Sequence, residues 1–90
     1  DTLAFRFNYA SSLGFFGEVA AAAAQYEAMI ARDPGNGLAH YGLSALRRAT
    51  AQDNRVARIE AALTRAQGHE DRVRLHYAAA KEREDLGHHA

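Results

Sequence analysis

The sequence predicts an all-α fold, a stack of antiparallel helix hairpins, on three observations. Alanine fills 21 of 90 positions while proline appears once, and alanine is the best helix former because ordering it costs no side-chain rotamer freedom. Apolar residues recur at intervals of three and four in five segments, and none alternates as a strand would. Glycine, proline and Asx residues gather between those segments, where turns are needed.

The first segment runs from about Leu3 to Phe15 or Phe16, with Leu3, Phe7, Ala10 and Leu13 on one face. Gly14 and Gly17 end it, because glycine readily takes the left-handed conformation of a C-terminal cap. The second spans about Glu18 to Arg32 and turns Val19, Ala22, Tyr26, Met29 and Ile30 to one side. Asp33–Gly37 then gathers a proline, two glycines and an asparagine into a turn. A third segment covers about Leu38 to Ala49, through Leu38, Tyr41, Ala45 and Leu46. Asp53 or Asn54 can cap a fourth, whose face is Val56, Ile59, Leu63 and Ala66 and which Gly68 closes. The fifth opens near Glu70 or Asp71, acidic residues suited to the positive end of a helix dipole. It carries Val73, Tyr77 and Ala80 to a stop at Gly87. Connections of two to five residues on this reading require consecutive helices to run antiparallel.

Composition narrows the function. Eleven basic and eleven acidic residues cancel, in each half as in the whole, so the basic excess that phosphate binding requires is missing and no nucleic-acid partner is expected. The longest apolar run, Val19 to Ala24, falls far short of the ~20 residues of a membrane span. Without cysteine there is neither a disulfide framework nor a thiolate metal site. A reducing compartment such as the cytoplasm is expected. The chain opens on Asp1, and it is expected to be a piece of a longer protein.

An internal repeat organises the segments. Tyr41 follows Phe7 by 34 residues, and His40-Tyr41 recurs as His76-Tyr77 after 36. Three positions after each aromatic stands a small residue, Ala10, Ser44 and Ala80, which lets a partner helix approach. Ala22, Tyr26 and Pro34 follow at fixed spacings in the first unit, and Gly17 and Gly87 close the first and third. This pattern resembles the tetratricopeptide repeat family. The resemblance implies an α-solenoid of two and a half repeats in a single domain over residues 1–90, with repeat 1 at about 3–36, a divergent repeat 2 at about 37–70 and a half repeat 3 at about 71–90. Arg6, His40 and His76 fall in the family's tryptophan slot, where the histidines are expected to pack between units. The stretch from Leu38 to Gly87, above all Arg74-Leu75-His76-Tyr77 with Lys81 and Glu84-Asp85-Leu86-Gly87, is also similar to the repeat segment that precedes the catalytic domain in bacterial tetratricopeptide-containing sulfotransferases. No loop for the sulfate donor's phosphate is in the sequence, so no catalytic residue carries over.

In the family the first helices of the pairs line a concave groove. The resemblance therefore implies a protein-protein interaction scaffold presenting Phe7, Ser11, Phe15, Tyr41, Ala45, Arg48, Arg74, Tyr77 and Lys81. An extended or helical peptide would anchor on the aromatics and pair acidic groups with Arg48, Arg74 and Lys81. The aromatics have a second reading, as core between units. Of the slots by which chaperone-binding members clamp a carboxylate, Phe7, Ser11 and Gly42 hold three and only Arg74 is basic where it should be, which argues against a chaperone adaptor. Two rival functions stand beside the scaffold: a non-catalytic region of a larger sulfotransferase-like enzyme, and a self-association module using the last helix through Val73, Tyr77 and Ala80.

No catalytic residue, cofactor or metal is expected. His88 and His89 are adjacent and would point about 100° apart on a helix, which is poor for a shared metal. His69-Glu70 lacks the second histidine of a zinc-protease motif, since Val73 stands there. Gly14 and Gly17 flank Phe15-Phe16 with no lysine after them, so they form a turn and not a phosphate loop. Asp33–Gly37 is too short for a calcium loop. Ser11, Ser12 and Ser44 have no activating base nearby in the sequence. The Lys81–Asp85 run reads as a solvated face of helical ion pairs.

Overall fold

The computed structural model describes residues 2–87, with side chains from residue 4 onward. His88, His89 and the side chain of Leu3 lie outside the described residues. Five helices follow one another: α1 (Thr2–Phe15), α2 (Val19–Arg32), α3 (Gly37–Leu46), α4 (Val56–Leu63) and α5 (His69–Asp85). Among the described residues there is no strand, only a lone bridge between Thr50 and Asp53. The fold is all-α.

The helices form two layers in a slab 36 × 31 × 17 Å. One layer holds α1, α3 and α5 side by side; α2 packs on α1 and α3, and α4 packs on α5. The first three helices close on a core of Ala10, Ala22, Tyr26, Met29, Ile30, Ala39 and Leu43. A second, smaller core holds Ile59, Ala62, Leu75, Ala78 and Ala79 between α4 and α5. Gly17 and Gly87 take positive φ, 82° and 85°, just past the ends of α1 and α5, the left-handed conformation that closes a helix.

α3 and α5 run parallel, bound at both ends at one offset. The Gly37 N–H donates to Asp71 Oδ1 at 2.9 Å, and Lys81 Nζ donates to the Arg47 carbonyl at 2.8 Å; each pair is 34 residues apart. Ala10, Ser44 and Ala78, spaced by the same 34 residues, are all fully buried. The third unit is therefore displaced by two residues from the 36-residue interval of the His-Tyr pairs. Ala78, and not Ala80, occupies its small-residue slot, and Ala80 is exposed. The same shift separates the two histidines: His40 is buried and His76 is exposed.

The second hairpin differs from the expectation. α3 ends at Leu46 instead of Ala49, because Arg47 turns to extended backbone at φ −159°, ψ 164°. Ala49 is then drawn inward to 5% exposure, where its N–H donates to Asp85 Oδ2 at 3.0 Å. Residues 47–55 form the connection, longer than the stretched turn expected at Thr50–Asn54, and α4 lies on α5 instead of closing a hairpin with α3. Carboxylates of α5 account for this. Alongside Asp71 and Asp85, the buried Glu82 accepts from the Arg55 N–H through Oε1 at 2.9 Å, so the start of α4 is capped from 27 residues away. Asn54 adds a local cap on the Val56 N–H at 3.1 Å.

Candidate functional site

The candidate site is built around one close approach. Tyr26 crosses from α2 under α1 and α3, and its ring passes so near Gly42 that a Cβ there would stand 2.4 Å from Cε1 and Cζ. Only glycine admits the ring at that depth. Phe7 tilts against the ring with centroids 5.9 Å apart, and the Tyr26 hydroxyl shares a hydrogen bond with Ser11 Oγ at 3.2 Å. Tyr26, at 3% exposure, thus ties all three helices together.

Above that floor lies a groove between α1 and α3 of about 290 Å³. Phe7, Ser11, Tyr26, Tyr41, Gly42 and Ala45 line it, with Gly14 and Leu46 at its end. The structure brings together Phe7, Ser11, Tyr41 and Ala45 of the expected groove residues. Tyr41 keeps 44% of its surface exposed and forms a wall. No charged side chain lines the groove.

The remaining expected residues are elsewhere. Phe15 is among the most exposed side chains and packs edge-on to Phe16 at 5.3 Å, outside the groove lining. Arg74 and Tyr77 line a shallow recess with His69, Glu70 and Val73, all on α5. The three cations expected to meet an acidic partner have partners inside the chain. Arg74 pairs with Glu70 at 3.4 Å, Arg48 donates to the Asp85 carbonyl at 3.3 Å, and Lys81 holds both the Arg47 carbonyl and the Asp85 carboxylate. Lys81 and the Ala49 N–H keep the Asp85 carboxyl below its usual range.

A second feature lies where α3 faces the α2 and α4 layer. His40 Nε2 donates to the Pro34 carbonyl at 3.0 Å, binding the α2–α3 turn, while Nδ1 is buried with no hydrogen-bond partner. Burial lowers the His40 pKa from its ordinary value, opposed by the Pro34 bond. The ring lines a recess of about 160 Å³ with Ile30, Pro34, Arg58, Ala61, Ala62 and Arg65. Arg58 forks onto Glu27 across α2 and α4, which lowers the Glu27 pKa. This arrangement is a structural joint: Arg58 is paired with Glu27 and the His40 ring is buried. No group of three or more metal-ligating side chains occurs among the described residues.

Two kinds of residue escaped the sequence reading of the site. Gly42 breaks an otherwise helical period, and an interior glycine is itself a sign of close approach, since it costs helix stability relative to alanine. Asp71, Glu82 and Asp85 read as helix-surface charges, yet they fall on the side of α5 that carries Ala78. Carboxylates sharing a face with buried alanine were the available signal. No protein-family model, no curated protein and no solved structure matches the chain.

Proposed function

We propose that this chain is a tetratricopeptide-like, non-catalytic scaffold for protein-protein interaction, and that the α1–α3 groove receives an apolar side chain of a partner segment. The observation that carries the reading is the groove itself: an open, uncharged channel with an aromatic floor held by Gly42 and a half-exposed Tyr41 wall. At about 290 Å³ it lies at the small end of ligand pockets, which suits one or two side chains better than a cofactor. The tetratricopeptide likeness is supported by the 34-residue offset of α3 and α5 and by the buried small residues 10, 44 and 78 at that interval.

The partner chemistry follows from what the groove offers. With Arg48, Arg74 and Lys81 engaged inside the chain, recognition rests on an apolar anchor, and acidic groups on the partner add little. Surface ion pairs contribute about 0–1 kcal/mol in any case.

A peptide selected from a random library on the folded chain tests this. Ala45→Arg, at an exposed position on the groove wall, blocks the channel and is expected to weaken binding at least tenfold, about 1.4 kcal/mol. Charge reversal at Arg74 changes it less than threefold. Equal binding by the Ala45→Arg chain, with its helical circular dichroism intact, removes the groove from the function.

A further inference from the structure

The two ends of the helix layer differ. The outward side of α5 is mixed, with Arg72, His76 and Glu84 exposed beside Tyr77 at 63%. At the other end, α1 exposes Phe5 at 73%, Tyr9 at 50% and Phe16 at 78%. The α1 face is the more continuous apolar one; on α5, where the sequence suggested self-association, Tyr77 is the one large apolar side chain exposed among the described residues.

These rings form a single stripe. Positions 5, 9, 12 and 16 lie one above another on a helix, and the Phe16 N–H still donates to the Ser12 carbonyl at 3.1 Å, which continues the helical direction past Phe15. Arg6 is the one charged side chain in α1; it lies off the stripe, reaching Gln25 on α2 at 3.5 Å. The stripe therefore offers nothing to a charged partner.

We propose that this stripe is a dimer interface whose occupant is the α1 of a second copy, packed antiparallel about a two-fold axis. The spacing is what selects a copy of itself. Intervals of four, three and four read the same in both directions, so a two-fold between positions 9 and 12 sets Phe5 against Phe16 of the other copy and the Tyr9 ring over the small Ser12. That is the self-complementarity an isologous interface demands, and three-four spacing suits helices crossing at a shallow angle.

The area comes close to what a stable dimer needs. At about 200 Å² per aromatic side chain, the exposed parts of Phe5, Tyr9, Phe16 and the Phe15 stacked on it amount to about 570 Å². Doubled across a two-fold this gives about 1,100 Å² from rings alone, near the ~1,200 Å² at which stable interfaces begin. Patches of this size on monomers mark interaction sites.

Sedimentation equilibrium on the 90-residue chain decides the matter. Between about 10 and 500 µM, the range an interface of this size reaches, the mass is expected to rise from 9.8 kDa toward twice that value. Tyr9→Glu, at an exposed site, holds the chain at the monomer mass with its circular dichroism unchanged. Adding Ser12→Lys to that variant restores the dimer, because position 9 of one copy faces position 12 of the other. A wild-type chain that stays monomeric throughout overturns the proposal. So does a dimer that survives Tyr9→Glu, or one that the added lysine fails to restore.

Discussion

Replacing Gly42 with alanine tests the packing at the centre of the molecule, because two physical effects predict opposite signs. In an unconstrained helix the change stabilises by about 0.5–1 kcal/mol, through lower backbone entropy in the unfolded chain. Here the new Cβ would lie 2.4 Å from two Tyr26 ring carbons, more than an ångström inside the ordinary ~3.5–4.0 Å carbon contact. The ring has little freedom to yield, with Phe7 against it and its hydroxyl on Ser11. Overpacking of this kind costs about 1–3 kcal/mol, so a net loss of about 1–2 kcal/mol is expected. A 90-residue domain has roughly 5–13 kcal/mol in total at typical stability per residue, so the loss is easily seen in urea unfolding followed by circular dichroism. The control is a cycle with Tyr26→Leu, which removes the clashing atoms. On that background Gly42→Ala should become neutral or stabilising, giving a coupling of about 1–3 kcal/mol. If Gly42→Ala stabilises the otherwise unaltered chain, Tyr26 does not pass under α3 as described, and the groove floor is lost with it.

Two further outcomes follow from buried polar groups. Glu82→Ala leaves the Arg55 N–H without its acceptor and should cost about 1–3 kcal/mol, whereas Glu82→Gln keeps an acceptor and should cost less than about 1 kcal/mol; equal losses in urea unfolding would place the effect outside this bond. For His40, burial depresses the pKa of the folded chain below the ordinary 6.5, so the unfolded chain binds the proton more readily. His40 thus contributes stability that is present above pH 6.5 and is lost as pH falls below it. Glu27, Arg58, Arg55 and Arg65 face the ring and its recess, and the urea midpoint should drop from pH 7 to pH 5 by more in the wild type than in His40→Gln. An identical drop in both would assign the pH response to other groups.

Fold class and helix order were legible because they rest on local signals. Alanine content, three-four periodicity and the turn at Asp33–Gly37 place the helices within a few residues of where they lie, and Asn36 caps α3 with Oδ1 on the Ala39 N–H at 3.1 Å. What could not be read depends on contacts distant in sequence. The end of α3 and the start of α4 are set by Asp85, Lys81 and Glu82, about 27–36 residues away, and no local rule reports them. The offset between α3 and α5 was readable to within two residues, but the recurring His-Tyr pair pointed to a different register from the 34 residues observed. His76 and Tyr77 are exposed, so nothing obliges them to mark equivalent positions; Ala10, Ser44 and Ala78 do so because a larger side chain has no room there. Of the site, the α1 and α3 residues were legible as a face. The engagement of Arg48, Arg74 and Lys81 within the chain was not, since formal charge carries no record of its partner.

The dependence of α4 on α5 has a consequence for synthesis. A helix of eight residues cannot hold its shape alone in water, and both its main packing and the cap on its first turn come from α5, which is made after it. While the ribosome is still adding residues beyond 68, the first three helices can already be closed on Tyr26, but the stretch from Arg47 to Leu63 has only α2 and the α2–α3 turn to touch, without its main packing or its cap. A nascent or truncated product should be open to trypsin at Arg47, Arg48, Arg55 and Arg58, and the arrival of the seventeen-residue α5 should shut those sites together.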